Sequence, residues 1–151
     1  MNKIDLIIDS EGAGDLDFSS LQDLHKIIQE AVDPSCKNNW VVSLKFVDKN
    51  EMQLINKTYR NIDRPTNVLS FPNDLSDSVQ GSFLGDIAVC PELIFKESQE
   101  QEKSAQDHLS HLYVHGVLHL LGYDHEEGNS ADDMESLEKN ILSKIDVADP
   151  Y

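Results

Sequence analysis

Three histidines and a glycine fall at telling positions in the segment HGVLHLLGYDH, residues 115–125. Residues four apart on a helix share a face, so His115 and His119 can reach one metal ion together. Gly122 is suited to end such a helix in the left-handed conformation, and the returning chain then brings His125 toward the same ion. Three imidazole ligands leave the fourth tetrahedral position of zinc open to water, as in a catalytic rather than a closed structural site. His111 lies on the same stripe but makes a poor third ligand. It is ~12 Å from His119 along the helix axis, whereas ligand nitrogens sit ~2.0–2.1 Å from zinc. The expectation is one zinc ion per chain on His115, His119 and His125, with His111 outside the ligand set as a neighbour that orients it. Asp124 can accept the second N–H of a ligand imidazole or serve only as a turn residue beside the helix end, and the sequence leaves both roles open.

The frame H-x-x-x-H-x-x-G-x-x-H also occurs in a group of zinc proteases, which carry a general-base glutamate directly after the first histidine. Gly116 stands there instead. Peptide hydrolysis needs a base beside the zinc-bound water and an acid for the departing amine, and neither has an obvious owner here. Glu126 and Glu127 are nearby in sequence, but acids just past a ligand are more often solvated. Phosphodiester hydrolysis asks less of a protein base, because zinc lowers the pKa of its water to ~7 and polarises a phosphoryl oxygen. It does ask for a cation against the charge that develops on phosphorus. Arg60 is the candidate, since a guanidinium grips phosphate oxygens as a fork. On the residues alone, a peptidase and a non-catalytic factor with structural zinc remain open alternatives.

The elements that must position these groups are legible as patterns. Alternation of Ile4, Leu6 and Ile8 predicts a strand, and Leu21, Leu24 and Ile28 predict a helix that starts at Ser19 or Ser20 and ends at Pro34. WVVSLKFVD is a second strand with Val42, Leu44 and Phe46 on one face. Asp48 with Glu51 resembles a capping box opening a helix through Leu54, Ile55 and Tyr59. NVLSFP and SFLGDIAVC read as strands separated by the loop NDLSDSVQG. A helix after Pro91 breaks in SQEQEKSAQ and resumes at about Asp107. Leu109, Leu112, Tyr113, Val114, Val117, Leu118, Leu120 and Leu121 leave that second helix almost no polar arc apart from its histidines, so it must be central and buried. His25 and His108 read as structural histidines. A last helix runs from about Ala131 to Ile145. The whole is predicted to be one α+β domain over residues 1–151, with about four strands, about five helices and the zinc site on the buried central helix.

Composition narrows the class. The 151 residues suffice for a sizeable core, and 39% hydrophobic with 26% charged residues is an ordinary globular balance. No apolar run approaches the ~20 residues of a membrane span, the N-terminus does not read as a signal peptide, and Cys36 and Cys90 do not make a disulfide framework. Cytoplasmic residence without a membrane partner is the plain expectation. A formal charge of -16 argues against coating nucleic acid by bulk attraction. One stretch runs against that balance: NKTYRNIDRPTNVLSFP, residues 56–72, holds Lys57, Arg60 and Arg64 against Asp63 alone. Lys57 and Arg64 are therefore candidate backbone contacts for a polyanion beside Arg60.

NKTYRNIDRPTNVLSFP, LGDIAVC at 84–90 and HLSHLYVHGVLHLLGYDH at 108–125 together resemble the YbeY endoribonucleases of bacteria. The acidic helix containing MESLE and the ending DPY are similar to that family too, and the likeness covers nearly all the chain beyond residue 40. The resemblance implies a single-strand-specific, metal-dependent endoribonuclease acting in ribosome biogenesis. Its implied tasks are maturation of the 3′ end of small-subunit ribosomal RNA and quality control of defective ribosomes. By position it makes His115, His119 and His125 the zinc ligands and Arg60 the functional arginine. It further implies a ribosomal protein or an assembly GTPase as a partner that delivers the RNA to so acidic a chain. Whether the nucleophile is zinc-bound hydroxide or the ribose 2′-hydroxyl is left open.

Overall fold

Alternating apolar side chains build the sheet, and one nearly all-apolar helix lies across it. The computed structural model describes residues 6–32, 41–72, 83–123 and 128–147, without the side chains of 128–132. Along the chain these form β1 (Leu6–Asp9), α1 (Leu21–Val32), β2 (Val41–Phe46), α2 (Lys49–Arg60), β3 (Val68–Pro72), β4 (Phe83–Val89), α3 (Pro91–Glu100), α4 (Ala105–Leu120) and α5 (Gly128–Ser143). The strands make one mixed sheet in the order β1-β2-β4-β3. β1, β2 and β4 run parallel, and β3 is antiparallel to β4 at the outer edge. The class is α+β, with four strands and five helices among the described residues, as the sequence patterns predict. Ile4, Pro34 and the whole of the loop NDLSDSVQG lie outside the described residues.

The period-two pattern of the strands sets which face is which. Val42, Leu44 and Phe46 are buried on one side of β2, joined by Leu6, Ile87 and Val89 from the neighbouring strands. Helices α1 and α4 cover this face with Leu21, Leu24, Ile28, Val114, Val117 and Leu118, all at 0% exposure. The other face carries a smaller cluster of Val47, Met52, Leu69, Ala88 and Cys90, where α2 packs. α4 is the central element, in contact with α1, α3, α5, β3 and β4.

Helix ends follow side-chain chemistry, and the starts of two helices differ from the sequence expectation. Asp48 caps α2 by accepting from the Glu51 N–H at 2.8 Å. α4 opens at Ala105 rather than Asp107, because the Ser104 side chain accepts from the Asp107 N–H at 3.0 Å and so caps the helix. α5 opens at Gly128, three residues before Ala131. α4 ends as its glycine predicts: Gly122 adopts φ +97°, its N–H donates to the His119 carbonyl at 3.0 Å, and the Tyr123 N–H donates to the Leu118 carbonyl at 3.0 Å. These two bonds form a Schellman motif. On α2 the expected apolar stripe is only partly right, since Met52 and Asn56 are buried while Leu54 and Tyr59 are 64% and 70% exposed.

Candidate metal centre and its cleft

His111, His115 and His119 follow one another along α4 at intervals of four residues, and their rings share one face of the helix. The centroids of the last two rings are 4.4 Å apart. Their Nε2 atoms face each other at 2.9 Å. Each ring is held from behind at Nδ1. His119 Nδ1 donates to the Tyr123 carbonyl at 3.1 Å, and His115 Nδ1 lies 3.4 Å from Glu138 Oε1. A carbonyl or a carboxylate can only accept, so in both neutral rings the proton belongs on Nδ1 and Nε2 presents a lone pair rather than a proton. Two lone pairs turned toward each other at this distance suit a cation placed between them.

A metal ion fits that requirement. Two nitrogens bound tetrahedrally at ~2.0–2.1 Å from zinc are ~3.3 Å apart, a few tenths of an ångström more than observed. His125 and Asp124 lie outside the described residues, so the pair seen here is two-thirds of the expected ligand set. His111 stands one turn away, with Nε2 2.9 Å from Glu138 Oε2. His111, His115 and Glu138 also make a cluster of their own, with ligand atoms within 4.8 Å of one another, that could hold a metal ion.

Glu138 is the residue that sequence reasoning missed. It comes from α5 and is 0% exposed. Burial pushes its pKa up, but the contacts with His111 and His115, their hydrogen bonds first, outweigh that and bring it down to about 2. The available signal was its spacing. Met134, Glu138 and Ile141 fall on one helical stripe, and all three are buried.

The histidine face of α4 forms one wall of a cleft of about 690 Å³. Thr66, Asn67, Val68, Leu69, Ser70 and Pro72 line it from in and beside β3, and Gly122 and Tyr123 line it just past the end of α4. Arg60 lines the same cleft. It is the last residue of α2, and Asn61 after it takes the left-handed conformation at φ 60°. The turn that follows is tied down by buried Asn56, whose Nδ2 donates to the Arg64 carbonyl at 2.8 Å. Among the described residues no carboxylate lies within salt-bridge distance of Arg60, and none lines the cleft. Lys57 and Arg64 are not among the cleft walls. Lys57 lies 4.0 Å from Asp63 on the surface.

The remaining histidines have structural partners. His25 Nδ1 is 2.7 Å from the Tyr113 hydroxyl in the core. His108 Nε2 is 2.8 Å from Glu97 Oε1, which also accepts from Asn67 Nδ2 at 2.9 Å. That shared oxygen ties the cleft wall around Asn67 to α3 and α4.

Gly116 has a steric explanation. A Cβ there would meet Ile87 Cδ1 at 3.1 Å and Ser70 Oγ at 3.2 Å, while Ser70 Oγ donates to the Gly116 carbonyl at 3.0 Å. The position points into β3 and β4, so a glutamate would be driven into the sheet.

Fold and site together define a small α+β protein in which a histidine-rich helix and an arginine line one cleft, a hydrolase-like centre. The family model described as Endoribonuclease YbeY matches residues 11–146, and the chain belongs to that family. A relative from Vesicomyosocius okutanii, named Endoribonuclease YbeY, is 46% identical over 129 residues, covering 85% of this chain and 89% of its own. One of the same name from Francisella tularensis subsp. novicida is 42% identical over 132 residues, covering 85% and 82%. A solution structure from Thermotoga maritima superposes with a TM-score of 0.61 at 25% identity, covering 95% of this chain and 92% of the other.

Proposed function

We propose that the chain is a metal-dependent endoribonuclease that hydrolyses phosphodiester bonds of single-stranded RNA, with residues 1–151 acting as one domain. The observation that carries this is the cleft. In a chain with 28 Asp and Glu residues, its described walls hold Arg60 and three histidines and no acid. Such a cleft accepts an anion where most of the surface repels one.

His115, His119 and His125 would hold one zinc ion, which when bound supplies Lewis acidity toward a phosphate oxygen and toward water. His119 Nδ1 on the Tyr123 carbonyl and His115 Nδ1 on Glu138 keep the two Nε2 atoms turned to the cleft. Arg60 would pair with phosphate oxygens from the rim and offset the charge that grows on them during displacement. Lys57 and Arg64 would hold flanking phosphates, and Asp124 would steady a ligand ring. Gly116 counts against peptide hydrolysis, because the position of a protease base is filled by the sheet. Among the described residues no helix is long and apolar enough to cross a membrane. We place the activity in the cytoplasm, on the 3′ end of small-subunit ribosomal RNA and in ribosome quality control, with a ribosomal protein or assembly GTPase presenting the RNA.

The test is cleavage of matched single- and double-stranded RNA by wild type, Arg60→Ala and Arg60→Lys, each verified as folded and metal-loaded. Arg60→Ala should lose ~10²–10³ in rate, and Arg60→Lys should recover only part. Wild-type turnover by Arg60→Ala, or undiminished cleavage after chelation, would overturn the reading.

A further inference from the structure

We infer that Glu138 is a positioning residue of the metal centre, fixing His115 from behind so that its Nε2 meets the ion, while His111 locks the carboxylate in place. The inference rests on His115 and His119 holding that ion.

Glu138 sits at an apolar position of α5, between Met134 and Ile141, where all three side chains are at 0% exposure. A buried ionic cluster of this kind is weak as a source of stability, since packed apolar side chains of similar volume do as well or better. Its geometry, however, suits a metal site. Each oxygen serves a different ring of α4: Oε1 lies 3.4 Å from His115 Nδ1, and Oε2 lies 2.9 Å from His111 Nε2. The second contact keeps the carboxylate from rotating away from the first. His119 is held in the same way by a different acceptor, the Tyr123 carbonyl at 3.1 Å. Both rings of the pair thus have Nδ1 engaged on the far side, and both present Nε2 to one point, 2.9 Å apart. Metal-binding histidines are oriented in this way by an acceptor on the second nitrogen.

Direct ligation by Glu138 fits less well. An ion between Glu138 and His115 would take the Nδ1 atom of His115 and leave its Nε2 directed at His119 with no metal there. His119 could not join such a site without giving up the Tyr123 carbonyl. The cluster of His111, His115 and Glu138 is better read as the support behind the site than as the site.

Two substitutions test this in the full-length protein. Glu138→Gln keeps the shape and one acceptor. Glu138→Leu suits the apolar stripe and removes both acceptors, so it keeps the test open if the amide variant folds poorly. Zinc affinity is measured by competition with a chelator, and the ligand set is read from the absorption spectrum of the cobalt(II) form. Loss of an orienting partner typically weakens metal binding 10–100-fold. The expected result is one ion per chain in both variants, weakened ~10-fold in Glu138→Gln and ~100-fold in Glu138→Leu, with the cobalt spectrum unchanged in shape. Unchanged affinity in Glu138→Leu would overturn the inference, and so would a cobalt spectrum showing a lost oxygen ligand. Failure of the underlying metal reading shows separately, as wild type that binds no zinc or His115→Ala that binds it undiminished.

Discussion

Substitution of Gly116 by alanine separates two forces that usually act together. In a helix interior alanine is favoured over glycine by ~1 kcal/mol, so intrinsic propensity alone predicts a more stable protein. Here the new methyl would lie 3.1 Å from Ile87 Cδ1 and 3.2 Å from Ser70 Oγ, inside ordinary contact distance on two sides. Overpacking of a close-packed core costs ~1–3 kcal/mol, so the net effect should be a loss of ~0–2 kcal/mol. For a chain of this length each kcal/mol moves the melting temperature by ~2–4 °C. Ile87→Val provides the control, because it deletes the Cδ1 atom that makes the closest contact. Alone it should cost ~0.5–1.5 kcal/mol. In the double variant the two changes should relieve each other, with a coupling energy of ~1–2 kcal/mol in urea denaturation of the metal-free protein. A Gly116→Ala variant that gains the full ~1 kcal/mol, with no coupling to Ile87→Val, would refute the steric argument. Gly116→Glu, which restores the protease letter, adds buried polar atoms to the clash. It should cost ~2–6 kcal/mol without producing peptide hydrolysis.

Removal of the cap on α2 by Asp48→Ala breaks the 2.8 Å bond to the Glu51 N–H and should cost ~0.5–2 kcal/mol in urea denaturation, with Asp48→Asn largely neutral. His108 gives a pH dependence of known sign. Burial, opposed by its bond to Glu97, lowers its pKa below the ordinary 6.5, so as pH falls the unfolded chain takes up a proton that the folded one refuses. Its contribution is complete above pH 6.5 and declines as pH drops toward the lowered value, so wild type should lose more stability than His108→Gln between pH 7.5 and 5.5. Equal slopes for the two proteins would remove His108 as the cause.

Much of the fold was legible because burial is periodic. Val42, Leu44 and Phe46 declare β2, and the lack of a polar arc around α4 declares its central place. Gly122 announced the turn that ends that helix. Other features depended on partners remote in sequence. Glu138 looks like one more acid in an acidic helix until α4 is laid beside it. Leu54 and Tyr59 look like core residues until α2 is seen to bury Met52 and Asn56 instead. The start of α4 is set by Ser104, a cap residue inside a polar run where no apolar period marks a helix. The parallel order β1-β2-β4 with β3 turned against it is a choice among pairings that no local pattern decides. For the site, spacing alone brought His115 and His119 together and set Arg60 apart in the only basic stretch. Only the packing of β3 against α4 puts Arg60 in their cleft.

The absence of acids from the described walls of that cleft has a kinetic consequence. A polyanion approaching from far away meets the summed field of a chain whose formal charge is -16, and is turned back. At contact range it meets Arg60 instead. Added salt weakens the far field first, because the screening distance shrinks from ~30 Å at 0.01 M to ~8 Å at 0.15 M while short contacts are shielded less. Capture of a strand should therefore speed up as salt rises from very low levels and slow only at higher concentrations, the reverse of the monotonic fall shown by basic nucleic-acid proteins. With the acids kept out of the described cleft walls and spread over the rest of the chain, ionic strength becomes a selector between distant repulsion and local attraction.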